Sequence, residues 1–286
     1  MRKTITVISL MFLGLCSLAA QTLPILNVPL DAKSLAVGST MSPTTAAFAL
    51  EDKTLDAGFT YGSWMPSVNK TGMIGVDAMA HFWKIAVGVS GNFYTDQPYD
   101  INNEQGTNKG TFTPKESMIN LGLAYAIIPS LSVGANVKFI SSTLSADASA
   151  SATAFDVVAA FKSSGLQIAA GAFNLGSGLD YGYGSYSLPS LARLDAAYTL
   201  PFGLSLNAEG AYLFSGGVMG GAGLSYDILG YADVRAGYHF GNEKAIPSYA
   251  SVGAGVHVFG LKLDFTYLLA SENIGGTLMF GLGYTF

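Results

Sequence analysis

Histidines at 81, 239 and 257, and Asp, Glu, Lys and Arg residues scattered from 156 to 264, are the side chains here that could relay protons, ligate a metal or pair with a charged ligand. Such chemistry needs donors and acceptors brought to one face at hydrogen-bonding range. If residues 241–248 form a symmetric turn between two strands, Asp233 lies across from His257 with Lys262 beside both, and His239 faces Ser251. His239 and His257 then sit at opposite ends of adjacent strands, on the order of 20 Å apart at about 3.3 Å per residue. That separation denies any histidine pair a shared metal or proton relay. No carboxylate is placed to orient a His239–Ser251 pair, so the sequence argues against an enzyme. The sole cysteine, Cys16, falls in the leader, which leaves the remaining chain without a Cys nucleophile, a Cys-ligated metal or a disulfide. The glycine-rich stretch 215–223 is followed by a strand pattern instead of a helix, and so reads as a hairpin tip and not a phosphate loop. Asp96, Asp100 and Glu104 lack calcium-loop spacing. No cofactor is called for, and a net charge of −5 without a basic cluster gives no footprint for nucleic acid.

The elements that position these residues are strands. In 131–139, Leu131, Val133, Ala135, Val137 and Phe139 point one way and Ser132, Gly134, Asn136 and Lys138 the other. The same alternation recurs over 55–64, 71–81, 84–94, 116–127, 131–142, 151–162, 165–174, 190–200, 203–214, 218–227, 231–240, 249–258, 260–270 and 277–286. These are fourteen segments of about ten residues, the length a tilted strand needs to cross hydrocarbon. The links alternate between very short, as at 129–130 and 201–202, and longer, with the longest at 95–115 and 175–189. An even strand count and this alternation predict an all-β, 14-stranded antiparallel transmembrane barrel with short periplasmic turns, long outer loops and both termini periplasmic. A soluble sandwich would also alternate, with the apolar face as its core, but fourteen consecutive strands joined by tight turns, an export signal and the terminal Phe286 favour lipid outside, where only closure pairs every backbone group. Parity then places Asp156, Lys162, Arg193, Asp195, Asn207, Glu209, Asp233, Arg235, His239, His257, Lys262 and Asp264 inside. Within that group, Arg193, Asp195, Glu209, Asp233, Arg235, His257, Lys262 and Asp264 are the candidate lumenal polar network. They read either as a charge ladder that pins register or as part of a transport path.

Both ends agree with this reading. Arg2 and Lys3, then an apolar stretch over 6–18 and small residues at 19–20, form a cleavable signal peptide over 1–20. The bulky Leu15 before Cys16 argues against acylation there. Residues 21–54 carry Pro24, Pro29 and Pro43 and no sustained alternation, as expected of a short N-terminal plug or periplasmic segment, and 55–286 form the barrel. The last strand places Phe280, Leu282, Tyr284 and Phe286 on one face, the pattern of an outer-membrane terminal strand. The composition is half apolar yet only 12% charged, with 35 glycines and 32 Tyr plus Phe, which suits a closed sheet with aromatic girdles in the bacterial cell outer membrane.

Several ordered stretches carry a family resemblance: VPLDAKSLAVG at 28–38, LSVGANVK at 131–138, AFNLG at 172–176, LPSLARLDAAY at 188–198, RAGYHFG at 235–241 and IPSYASVG at 246–253. Through them the chain resembles the PorV/PorQ family of outer-membrane barrels, whose architecture is related to that of the FadL transporters. The resemblance implies a non-enzymatic, partner-binding component of type IX protein secretion, with outer-membrane lipid and a secretion translocon or secreted cargo proteins as partners. The alternative it leaves open is a FadL-like passive transporter of hydrophobic small molecules. That role would require an apolar pocket within the wall, where the inward set reads as polar and glycine-rich.

Overall fold

The computed structural model describes residues 23–286 apart from 30, 40–42, 65, 67–69, 103–104, 183, 243–245 and 270–275. The expected leader over 1–20 lies outside the described residues. Fourteen strands form one closed antiparallel barrel: β1 (Leu55–Trp64), β2 (Thr71–Phe82), β3 (Ile85–Thr95), β6 (Lys115–Ile128), β7 (Leu131–Ser145), β8 (Ala148–Ser163), β9 (Leu166–Gly176), β12 (Leu191–Thr199), β13 (Leu204–Leu213), β14 (Val218–Ile228), β15 (Ala232–Phe240), β16 (Tyr249–Val258), β17 (Leu261–Leu269) and β18 (Leu278–Thr285). Each expected strand is present, with its bounds shifted by a few residues.

The seam runs between β1 and β18, from Asp56 opposite Thr285 to Ser63 opposite Leu278. Beyond it the C-terminal carbonyl of Phe286 accepts from the amides of Thr54 (2.9 Å) and Leu55 (3.1 Å), and the Phe286 amide donates to the Leu55 carbonyl at 2.9 Å. The last residue therefore continues the ladder that closes the sheet. Two small hairpins were not apparent from periodicity: β4 (Tyr99–Asn102) with β5 (Asn108–Phe112), and β10 (Leu179–Asp180) with β11 (Ser185–Tyr186). They lie in the two longest links, where strands of two to five residues are too short to show alternation.

Parity along the wall separates two surfaces. Leu224, Val256, Leu263, Phe280 and Leu282 face outward and are about half exposed, whereas Met219, Ser251, Thr266 and Met279 on the same strands face inward and are buried. An exterior of this kind is matched by lipid and not by water.

The ladder departs from regularity at β8–β9. Its register skips between Phe155 and Val157, whose partners are Leu175 and Ala172. The extra residue is accommodated at Asn174, which has φ 57°, a left-handed conformation that asparagine adopts at small cost. One expectation about register needs correction. Asp233 pairs with Gly255 and His239 with Tyr249, each two residues from the expected partners His257 and Ser251, because the ladder ends at His239–Tyr249 and leaves Phe240 without a partner on β16.

The two faces make opposite demands on a charge. Leu224→Arg, on the outer surface near mid-strand, is expected to cost about 2–4 kcal/mol in folding stability, whereas Asn207→Arg, inside the barrel, should cost much less. Urea titration of refolding into vesicles measures both, and equal costs would contradict the assignment of faces.

Candidate functional site: the barrel lumen

The N-terminal segment runs through the lumen. It contains three short helices, α1 (Pro24–Asn27), α2 (Ala32–Ala36) and α3 (Thr45–Phe48). Asp31 caps α2 by accepting from the amides of Lys33 and Ser34, and Thr44 caps α3 through the amide of Ala47. Helices of four or five residues are not stable alone, so the wall must hold them.

It does so through hydroxyls that accept no ladder bonds. Thr266 donates to the Ala32 carbonyl at 2.5 Å, Ser251 to Ala36 at 3.0 Å and Ser132 to Ala46 at 2.5 Å. His239 Nδ1 lies 3.2 Å from the Gly38 carbonyl, and because a carbonyl only accepts, Nδ1 carries the proton. The His239 ring stacks on Tyr249 with centroids 5.1 Å apart. Both His239 and Ser251 are thus committed to backbone carbonyls, and the expected juxtaposition of the two across the ladder is not found: Ser251 pairs with Gly237. Inward glycines provide the seats. A Cβ at Gly221, Gly223 or Gly237 would overlap the Val37–Gly38 backbone, and one at Gly88 or Gly122 would overlap the Thr45 side chain.

Inside the barrel the two ends differ. Toward the long-loop end a cluster of inward residues is apolar and buried, Trp64, Met73, Met118, Leu213, Leu268 and Met279, beside the buried polar His239, Ser251 and Thr277. Leu23, Ile25 and Val28 belong to the same cluster. The expectation of a uniformly polar interior therefore fails in this half. At these strand ends apolar residues are adjacent, as in Tyr212–Leu213 and Leu268–Leu269, so alternation no longer distinguishes the inner face from the outer.

Below this cluster lies a cavity of about 1070 Å³ whose lining runs from Ile25 and Met118 to the turn residues Gly230, Tyr231, Phe259 and Gly260, and so reaches the short-turn rim. Its walls carry most of the polar residues expected from parity, with Asp233 and Arg235 behind His257 and Asp264, resolved into separate groups. Arg235 is central to the first: its guanidinium donates to Asp264 Oδ1 (2.6 Å) and Asp233 Oδ1 (2.6 Å), and its Nε also faces Asp233. His257 Nε2 lies 3.4 Å from Asp233 and 4.0 Å from Asp264, and Lys262, the register partner of His257, donates to Asp56 at 2.6 Å. Asp233, His257 and Asp264 are close enough to surround a cation. Arg235 already supplies that charge and occupies their oxygens, so the group is better described as an ion-pair network than as a metal site.

A second group joins Asp195 and Glu209, which face each other across β12–β13, with Arg193 4.0 Å from Glu209 and Ser39 donating to Glu209 at 2.8 Å. Lys162 pairs with Glu51 at 3.0 Å, and Asn207 lines the cavity nearby. The third group surrounds the β8–β9 irregularity. Lys138 lies 2.8 Å from Asp156 and donates to Asn174 at 2.8 Å, Asn136 donates to Asp156 at 3.2 Å, and the Asn174 amide donates to Asp156 at 2.8 Å. Inward parity on β1 and β7 was enough to find Asp56 and Lys138; nothing in the periodicity pointed to Asn174, which turns inward only because the ladder slips. Lys53, just ahead of β1, has its pKa lowered, first by burial and then by the Lys262 ammonium, so it gives up its proton more readily than a surface lysine.

In sequence, the chain matches no protein-family model and no curated protein. Its fold is similar to that of the Pseudomonas putida toluene transporter TodX, with a TM-score of 0.62 at 10% identity over 93% of this chain and 99% of that one. The CymD monoaromatic hydrocarbon channel gives 0.58 at 8% identity, covering 92% and 98%. A Pseudomonas aeruginosa FadL homologue gives 0.52 at 13%, covering 93% and 97%. The chain thus has the fold of FadL-type outer-membrane barrels.

Two outcomes follow from these contacts. Gly237→Val should leave a heat-modifiable barrel but displace the segment from its seat, making residues 31–39 susceptible to protease; unchanged protection would contradict the seating. Arg235→Met strands two carboxylates at low exposure and should destabilise by about 3–5 kcal/mol, most of it recovered when Asp233→Asn and Asp264→Asn are added. Urea titration of the single and triple variants checks this.

Proposed function

We propose that the protein is a passive conduit for small hydrophobic molecules, with the N-terminal segment as its plug and the short turns on the periplasmic side. One observation carries this reading: the long-loop half of the lumen is an apolar compartment, filled by the protein's own Leu23, Ile25 and Val28, above a cavity of about 1070 Å³. A diffusion pore for ions keeps a polar, water-filled lumen throughout. Here a solute entering from the loops first meets Met73, Met118 and Met279, flexible thioether side chains that adapt to varied apolar shapes. The plug side chains occupy the volume such a solute would take, so passage requires their displacement.

The toluene and monoaromatic-hydrocarbon roles in the names of two proteins with this fold support the same reading. The secretion role implied by the PorV/PorQ resemblance rests on sequence stretches alone, and neither the lumen nor the similar structures add support to it. The groups nearest to an acid–base pair, His257 and Asp233 at 3.4 Å, share the carboxylate with the Arg235 guanidinium, which favours a non-enzymatic role.

Cells lacking their own hydrocarbon channels and expressing this protein should take up radiolabelled toluene faster than cells carrying an empty vector, and a variant lacking residues 21–29 should show raised ion conductance in planar bilayers. Uptake equal to that of the vector control would contradict the conduit, and unchanged conductance would contradict the plug.

A further inference from the structure

Among the described residues, five lysines line the cavity: Lys33, Lys53, Lys138, Lys162 and Lys262. Three of them are paired, Lys138 with Asp156 (2.8 Å), Lys162 with Glu51 (3.0 Å) and Lys262 with Asp56 (2.6 Å). Lys33, on α2, is exposed to water. Lys53, just ahead of β1, is partly buried and has no ion-pair or hydrogen-bond partner among the described residues. The carboxylates that act on it are already engaged. Glu51 also accepts from Gln167 through Oε1 at 3.3 Å, and Asp56 Oδ2 accepts from both Lys262 and Thr285. Two further ammonium groups act on Lys53, that of Lys262 from β17 and that of Lys33 from α2. An amine partly withdrawn from water, short of a counter-charge and close to other cations is held back from protonation, the situation that turns a lysine into a nucleophile.

We propose that Lys53 is a reversible covalent capture site for small apolar aldehydes that enter the cavity. This rests on the conduit reading, since the lumen must admit small apolar molecules. A hydrocarbon offers an amine nothing to attack, whereas an aldehyde of similar size and apolarity carries an electrophilic carbonyl carbon. The lone pair of the Lys53 nitrogen forms a bond to that carbon while the C=O π pair moves to oxygen, which takes up a proton from the nitrogen. The resulting carbinolamine loses its hydroxyl group together with the remaining N–H proton as water, and a C=N imine is left. No oxidant or reductant is consumed, and water reverses both steps. Phe48 and Leu50 of the N-terminal segment share the cavity lining with Lys53 and give the apolar group of the aldehyde a surface to rest on. Hydrocarbons therefore pass this point unreacted, and aldehydes are delayed at the short-turn end of the barrel.

Benzaldehyde with sodium cyanoborohydride, which reduces an imine to a stable benzylamine, is the probe, applied to the barrel in vesicles at neutral pH and read by peptide mass spectrometry. Lys53 should be benzylated about tenfold faster than the exposed Lys109 of the β4–β5 hairpin, because the cavity gathers the aldehyde and holds the amine unprotonated. Excess toluene should slow labelling at 53 and leave that at 109 unchanged. Lys262→Gln removes a neighbouring cation and releases Asp56 to pair with Lys53, so it should bring the rate at 53 down toward that at 109, an effect that accessibility alone would not produce. A rate at 53 unchanged in Lys262→Gln overturns the electrostatic basis of the site. Labelling at 53 no faster than at 109, or insensitive to toluene, overturns the capture itself, and the conduit still stands if cells expressing the parent import toluene. Preferential, toluene-sensitive labelling at 53 in a protein that imports no toluene keeps the capture site and removes the conduit.

Discussion

Hydrocarbon offers no partner for a backbone N–H or C=O, and that constraint governs everything else in this molecule. A sheet in lipid must close, which is why Phe286 reaches past the end of β18 to bond Thr54 and Leu55. Closure at fourteen strands then leaves an interior too wide for the wall's own side chains to fill. The N-terminal segment and the charged groups are two answers to that volume, one at each end of the barrel.

The two answers obey different physics. Near the long loops the space is filled by apolar packing, and segment carbonyls are met along the wall by Thr266, Ser251 and His239 and, close to the short turns, by Ser132. Near the short turns the space is left as a cavity, and opposite charges meet there: Arg235 with Asp233 and Asp264, Lys262 with Asp56, Lys162 with Glu51. Removing one member of such a set is costlier than never having had the set, since the partner is left without its counter-charge.

The wall was legible in the sequence because a closed sheet between lipid and lumen enforces strict alternation, visible in stretches such as Leu131 to Phe139. The lumen was legible only in part. Parity assigned Asp233, Arg235, His257, Lys262 and Asp264 to one side, but the pairing register of β15 with β16 was not fixed by it, because a slip of two residues preserves alternation. Inward glycines at 221, 223 and 237 look like gaps in a strand pattern, and only the position of Val37–Gly38 reveals them as a seat. The apolar half was hidden because residues such as Leu268 and Leu269 are alike on both faces at strand ends.

The central claim is that a small apolar molecule occupies the inside of this barrel. Photolysis of a diazirine-bearing aromatic hydrocarbon with the barrel in vesicles, followed by peptide mass spectrometry, tests it most directly. The account predicts labels on lumenal Met118, Met79 and Phe48, reduced by excess toluene. Labels confined to outward residues such as Leu224 and Leu263, and insensitive to toluene, would contradict it.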